Sequence, residues 1–184
     1  GAMRGLLAAA AAAAAAVVYL RWRRQQAAAD KPVGRRARVA VVGCGGWTQG
    51  WHLPNIANRN DAELIALVDP ADHPGDGGCL SGKVEPMSAL VEKYGVPRYS
   101  SLEALLREKR AELDGVLVAA PHGLHASLGL AVLGAGLHLL LEKPMTTDVA
   151  EAKALLQAAE ARPQLGFLLN NTANWQPGFA EAKR

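Results

Sequence analysis

Past residue 37 the chain alternates between two hydrophobic patterns. Short, continuous apolar runs recur at 38–42 (RVAVV), 63–68 (ELIALV), 115–119 (GVLVA), 138–141 (HLLL) and 165–169 (LGFLL). Runs of this length, rich in valine and leucine and lacking polar alternation, predict strands buried on both faces. The stretches between them predict helices over 51–59, 87–94, 100 to about 111, 124–134 and 148 to about 161. Ser100 with Glu103, and Asp148 with Glu151, have the spacing of capping pairs at helix starts. Residues 70–86 hold Pro74, Gly75, Gly77, Gly78 and Gly82 and predict a long loop. Strand–helix alternation of this kind predicts an α/β fold, a doubly wound parallel sheet with helices on both faces and right-handed crossovers. Ligands of such sheets bind outside the carboxyl ends of the strands. Residues 43–50, Asp69, 121–125, 142–144 and 170–174 all take that position, so they are predicted to converge on one crevice.

The N-terminal stretch has a different pattern. Residues 5–20 are uncharged and mostly alanine, and Arg21, Arg23, Arg24, Arg35, Arg36 and Arg38 follow in a short span. As a helix, the apolar run would extend roughly 24 Å, short of the ~30 Å hydrocarbon core. A cleaved signal peptide fits poorly, because Arg21, Trp22, Arg23 and Arg24 separate the run from any small-residue cleavage site near Ala29. Two functional readings stand beside a tail of no function: an organelle-targeting segment, or a marginal membrane anchor with a basic cytosolic flank. The expected organisation is a helical or disordered extension over 1–37 followed by the α/β domain over 38–176.

Composition narrows the picture. Half of the 184 residues are apolar, enough for one core. The net charge of +3 reflects the N-terminal arginines and gives no reason to propose nucleic-acid binding. The two cysteines, Cys44 and Cys79, show neither metal spacing nor a disulfide framework, which points to a reducing intracellular compartment. His73 and Cys79 fall in the long loop with no partner pattern, so no metal site is expected.

The strand ends carry the candidate chemistry. Gly43, Gly45 and Gly46 follow the first strand directly, as a turn that cradles a pyrophosphate at a helix start requires. A plain tight turn is the alternative. Thr48 stands where a third glycine belongs; either Gly50 takes that role or the threonine offers its hydroxyl to a phosphate. Asp69 ends the second strand, where a carboxylate accepts hydrogen bonds from ribose hydroxyls and repels a 2′-phosphate; it could equally be a turn aspartate before proline. No arginine follows it in residues 70–72. Lys143 ends a later strand, where an ammonium can orient a substrate oxygen or stabilise charge on it; a surface lysine is the commoner fate. His122 and His125 flank a turn after the third apolar run and are as readily structural as catalytic. Trp47, Trp51 and His52 crowd the glycine turn as a shield, or else begin a packed helix.

These segments together resemble the N-terminal half of the glucose–fructose oxidoreductase / inositol dehydrogenase (Gfo/Idh/MocA) family. The resemblance rests on VAVVGCGGWTQGWHLPNI, ELIALVDP, VLVAAPHGLHASLGLAVLGAGLHLLLEKPMTTDVAEAKALL and LNNTANW, with Glu142-Lys143-Pro144 the most specific piece. It implies a Rossmann-type domain of an NAD(P)-dependent oxidoreductase acting on a sugar, cyclitol or related secondary alcohol. It implies Lys143 as the lysine beside the nicotinamide, Pro121 and His125 as the Pro-x-x-x-His turn along the cofactor, and Asp69 as the ribose acid. With it, Gly43, Gly45, Gly46, Trp47, Thr48, Asp69, Pro121, His122, His125, Glu142 and Lys143 become the expected cofactor-binding set. NAD is expected over NADP, and Lys143 is the catalytic candidate. The chain departs from the family at Thr48, at His122 where many relatives carry asparagine, and in the length of 70–86. On this resemblance a second domain, which supplies the family's substrate pocket, subunit contacts and further acid–base residues, is expected to start over 177–184 and to be missing from the sequence beyond that. The rival expectation is a dinucleotide-binding module or tethered scaffold without catalysis.

Overall fold

The computed structural model describes residues 34–76 and 83–171. Among them the strands are β1 (Ala37–Val42), β2 (Ala62–Val68), β3 (Arg98–Tyr99), β4 (Gly115–Val118), β5 (His138–Glu142) and β6 (Phe167–Asn170). They form one parallel sheet in the order β3-β2-β1-β4-β5-β6. The connecting helices are α1 (Leu53–Ala57), α2 (Met87–Tyr94), α3 (Leu102–Lys109), α4 (His125–Gly134) and α5 (Val149–Glu160). The chain winds outward from β1 to β3, returns to the centre at β4 and winds outward again to β6. This is the doubly wound, Rossmann-type topology, and the order reverses between β1 and β4. The compact unit that carries the sheet begins at Ala37.

Alternation along the strands sorts side chains between two layers. Ala40, Val42, Ala66, Val68, Val116, Val118, Leu139 and Leu141 face one layer, packed with Leu102, Leu105, Val132, Leu133 and Leu155 of α3, α4 and α5. Val41, Leu67 and Leu117 face the other, packed with Leu53, Met87 and Leu90 of α1 and α2. Both faces of β1, β2 and β4 are therefore apolar, which is why these strands read as unbroken hydrophobic runs. Each fully buried leucine or valine contributes roughly 1.5–3 kcal/mol. That burial fixes β1 in the centre and sets the glycine turn at the middle of the sheet's carboxyl edge.

The structure corrects several local expectations. A π-helical turn, Thr48–His52, precedes α1, so helical backbone follows the glycine turn sooner than the pattern predicts. The N-cap of α3 is Ser101, whose hydroxyl accepts from the Ala104 N–H at 3.2 Å, in place of Ser100. Asp148 does cap α5, accepting from the N–H groups of Ala150 and Glu151. Two residues, Arg98 and Tyr99, form the edge strand β3, which is too short and too polar to register as an apolar run. β6 begins at Phe167, two residues later than the pattern predicts. Among the described residues no helix is long and apolar enough to cross a membrane. The expectations for 1–33, for Cys79 and for Asn174 lie outside the described residues.

Candidate cofactor site

β1 ends at the glycine turn. Gly43 has φ +87°, in the left-handed region, and a Cβ there would stand 2.5 Å from the Ala119 carbonyl oxygen. Only glycine allows both the turn and the close approach to the end of β4. At Gly45 a Cβ would stand 2.9 Å from the Gly75 carbonyl oxygen. That same carbonyl accepts from the Gly46 N–H at 3.0 Å, so the 70–76 segment lies against the turn. Gln49 ties down the far end of that loop: its amide donates to Glu85 O at 3.0 Å, and its oxygen accepts from Glu85 N at 2.8 Å. Thr48 is buried and donates its hydroxyl to Gly43 O at 2.6 Å. The hydroxyl's proton thus braces the turn internally. Gly50 is exposed within the π-helical turn and does not line the crevice, so it does not replace the third glycine.

β2 ends at Asp69. Its carboxylate accepts from Cys44 N and from Ala71 N, both at 2.9 Å, which fixes it against the glycine turn. Each oxygen keeps acceptor capacity for a further donor. The absence of an arginine in 70–72 does not leave this turn without one. Arg98 reaches it from β3, donating from Nε to Asp69 O and from Nη2 to Pro70 O, both at 3.1 Å, and pairing with the Asp72 carboxylate. Cys44, buried beside Asp69, has its thiol pushed up to about 12 by burial, with the Asp69 carboxylate adding to the effect. It stays protonated and unreactive at neutral pH.

β4 ends at Ala119, Ala120 and Pro121. His125, fully buried at the start of α4, places Nδ1 2.7 Å from Pro144 O and Nε2 2.9 Å from Ala120 O. The ring bridges the loop after β4 to the loop after β5. His122 is exposed and meets His125 edge to face at 5.5 Å. The geometry makes His125 a brace and leaves His122 on the crevice wall.

β5 ends at Glu142, and here three elements meet on one carboxylate. Its Oε1 accepts from His52 Nε2 at 2.7 Å, Trp47 Nε1 at 2.9 Å and Asn170 Nδ2 at 2.6 Å. Its Oε2 accepts from Lys143 N at 3.0 Å. Burial works against the charged carboxylate. The hydrogen bonds from His52, Asn170 and Trp47 outweigh it and hold the carboxyl down at about 2. The Lys143 side chain is exposed, and among the described residues its ammonium has no protein partner. The Lys143–Pro144 peptide bond is cis. Trp47 stacks on Trp51 at 6.1 Å between ring centroids.

All eleven expected cofactor residues, from Gly43 to Lys143, line one crevice of about 820 Å³ along the carboxyl edge of the sheet. Ser100, Ser101, Leu102 and Glu103 line it as well. The capping pattern at Ser100 and Glu103 marks a helix start but carries no signal that this segment reaches the crevice, because the edge strand that delivers it is only two residues long. His52, Asn170, Gln49 and Arg98 hold the site together through side-chain contacts that spacing does not reveal. Among the described residues no group of three His, Cys, Asp or Glu side chains could hold a metal ion.

The family described as oxidoreductases with an NAD-binding Rossmann fold (GFO_IDH_MocA) matches residues 37–168. The chain belongs to the Gfo/Idh/MocA oxidoreductase family. Its sheet is an NAD(P)-binding Rossmann domain. D-xylose 1-dehydrogenase (NADP(+)) 2 of Haloferax volcanii is 40% identical over 99 residues, covering 53% of this chain and 29% of that protein. The WlbA dehydrogenase from Bordetella pertussis, solved with NADH and UDP-GlcNAcA, superposes with a TM-score of 0.61 at 26% identity. That match covers 78% of this chain and 37% of WlbA. KijD10, a 3-ketoreductase from Actinomadura kijaniata solved with NADP and TDP-benzene, superposes with a TM-score of 0.66 at 27% identity. It covers 80% of this chain and 41% of KijD10. The Gfo/Idh/MocA chain described here thus spans well under half the length of each of these relatives. The relatives include proteins solved with NADH and with NADP, so membership of the family leaves the choice between them open.

Proposed function

We propose that the crevice binds NAD(H) in preference to NADP(H), as the cofactor half of an oxidoreductase acting on a sugar, cyclitol or related secondary alcohol. One observation carries the proposal. The strand order puts a carboxylate, a glycine turn and an exposed ammonium along one edge: Asp69 after β2, 43–46 after the adjacent β1 and, beyond β4, Lys143 after β5. A dinucleotide laid along this edge meets the groups its parts require in the right sequence. Asp69 accepts from the ribose hydroxyls, the glycine turn lets backbone approach the pyrophosphate, and Lys143 lies at the nicotinamide end.

The bound cofactor supplies the hydride chemistry, and the chain supplies position and charge. Asp69, already fixed by Cys44 N and Ala71 N, keeps a negative charge where a 2′-phosphate would sit, and so favours NAD. Lys143, whose ammonium has no protein partner among the described residues, is available to a substrate hydroxyl or carbonyl oxygen. The Glu142 carboxylate bonds the Lys143 backbone N–H and orients the residue from below. His125 holds the loops after β4 and β5 in register along the nicotinamide side. Activity on a particular alcohol, assembly into an oligomer, and a targeting or membrane role for residues 5–20 are proposals for the whole protein, as is a reducing intracellular compartment.

Calorimetric titration of the chain with NADH and NADPH tests the cofactor assignment. NADH is expected to bind more tightly, and Asp69→Ser to narrow the difference. Binding of neither nucleotide would remove the assignment. A panel of sugars, cyclitols and polyols, followed by nicotinamide absorbance, tests the role of Lys143. Any turnover is expected to vanish in Lys143→Ala while cofactor affinity stays within about twofold, the mark of a group that acts on substrate.

A further inference from the structure

Arg98 stands out because its donors are committed around the guanidinium. Nε and Nη2 hold the carbonyls of Asp69 and Pro70, and Nη1 pairs with the Asp72 carboxylate. All three partners belong to the turn that follows β2, and Asp69 and Pro70 also line the crevice. A guanidinium offers a planar fork that suits phosphate oxygens as well as carboxylates. The ribose turn therefore has a phosphate-competent cation behind it, engaged on an acid of the same turn. The Asp72 side chain is 82% exposed, whereas that of Arg98 is 25% exposed, so the acid is the replaceable member of the pair.

We propose that Arg98 and Asp72 together set the cofactor preference of this site. With Asp72 present, the guanidinium braces the turn from outside the crevice lining, and Asp69 is the charge of this turn that lines the crevice. With Asp72 removed, Arg98 keeps its carbonyl contacts or releases them, and one edge of its fork is available to a 2′-phosphate. The preference for NAD thus rests on two layers. Asp69 repels the extra phosphate, and Asp72 withholds the cation that would welcome it. The proposal builds on the assignment of the crevice to NAD(H).

The test is a fluorescence titration of the full chain with NADH and with NADPH, in the wild type, Asp72→Ala and Asp72→Ala/Arg98→Ala. In Asp72→Ala, NADPH affinity is expected to rise about fivefold, the upper end of what one solvent-exposed ion pair supplies. NADH affinity is expected to change by less than about twofold, since Asp72 is a surface group whose loss alters no buried contact. The gain is expected to shrink between low and high salt, as an exposed ion pair is screened. The double variant is expected to lose it. An unchanged NADPH-to-NADH ratio in Asp72→Ala overturns the proposal, as does a gain that survives in the double variant. A wild-type chain that binds neither nucleotide overturns the cofactor assignment first and this proposal with it. A wild-type chain that binds NADH, with no response at residue 72, overturns this proposal only. Thermal melts of each variant separate a change in recognition from a change in folding.

Discussion

The two ends of the crevice are built on opposite principles. At the β5 end, the Glu142 carboxylate is buried and receives hydrogen bonds from the glycine-turn region, the π-helical turn, β6 and its own neighbour. At the β2 end, Asp69 is held mostly by backbone groups, and of its companion pair Asp72 stands largely in water while Arg98 is half-buried. A charge withdrawn from solvent is costly unless every lone pair is matched, and breaking such a set leaves several unpaired groups at once. A charge at the surface is cheap to hold and cheap to lose. Under the proposed function, the buried end is the one that fixes geometry around Lys143. The exposed end is then the one where a change of one side chain retunes cofactor affinity without endangering the fold.

The sharpest way to break this contrast is Glu142→Ala. It leaves the His52, Trp47 and Asn170 donors without their acceptor, at a cost of about 3–5 kcal/mol. For a domain of this size that is a fall in thermal midpoint of roughly 6–20 °C, read by calorimetry. Glu142→Gln should recover part of it, because one oxygen acceptor returns. Gly43→Ala comes next. Its φ of +87° and the 2.5 Å approach to Ala119 O impose about 1–3 kcal/mol of strain before any backbone shift. Loss of cofactor binding should accompany the lower midpoint.

Acid titration sharpens the comparison further. The Glu142 carboxyl is depressed to about 2, below its ordinary value near 4.5. Its contribution to stability is therefore complete above the ordinary value and disappears as pH falls from about 4.5 towards 2. A stability-against-pH profile should show that loss in the wild type and a flatter acid limb in Glu142→Gln. The smallest effect belongs to Cys44. With its thiol held up at about 12, alkylation at neutral pH should be negligible until the chain unfolds, as peptide mass spectrometry of the labelled site would show.

How much of this was legible in the sequence follows from range. The central strands were legible because burial on both faces writes unbroken apolar runs, as in 38–42 and 115–119. The convergence of Asp69, the glycine turn and Lys143 was legible because parallel topology forces all strand ends to one edge. Edge strand β3 was not, since two half-buried residues, Arg98 and Tyr99, leave no hydrophobic pattern. With it went Ser100–Glu103 on the crevice wall and the true cap, Ser101. Asp69 appeared to lack an arginine because the nearest one in space comes 29 residues later in the chain. Glu142 was legible as part of Glu-Lys-Pro, but not as the point where Trp47, His52 and Asn170 meet. Those contacts join positions 28 to 95 residues apart and are decided by packing.

The glycine turn also limits where redesign of this protein can begin. At Gly43 the backbone conformation and the Ala119 carbonyl both exclude a side chain, and at Gly45 the Gly75 carbonyl does so. These positions offer a protein engineer no alphabet beyond one letter. A library aimed at cofactor choice is wasted on them. Under the proposed cofactor assignment its diversity belongs at 70–72 and at 98, where side chains stand in water or at the sheet edge and a substitution does not have to be accommodated by the core.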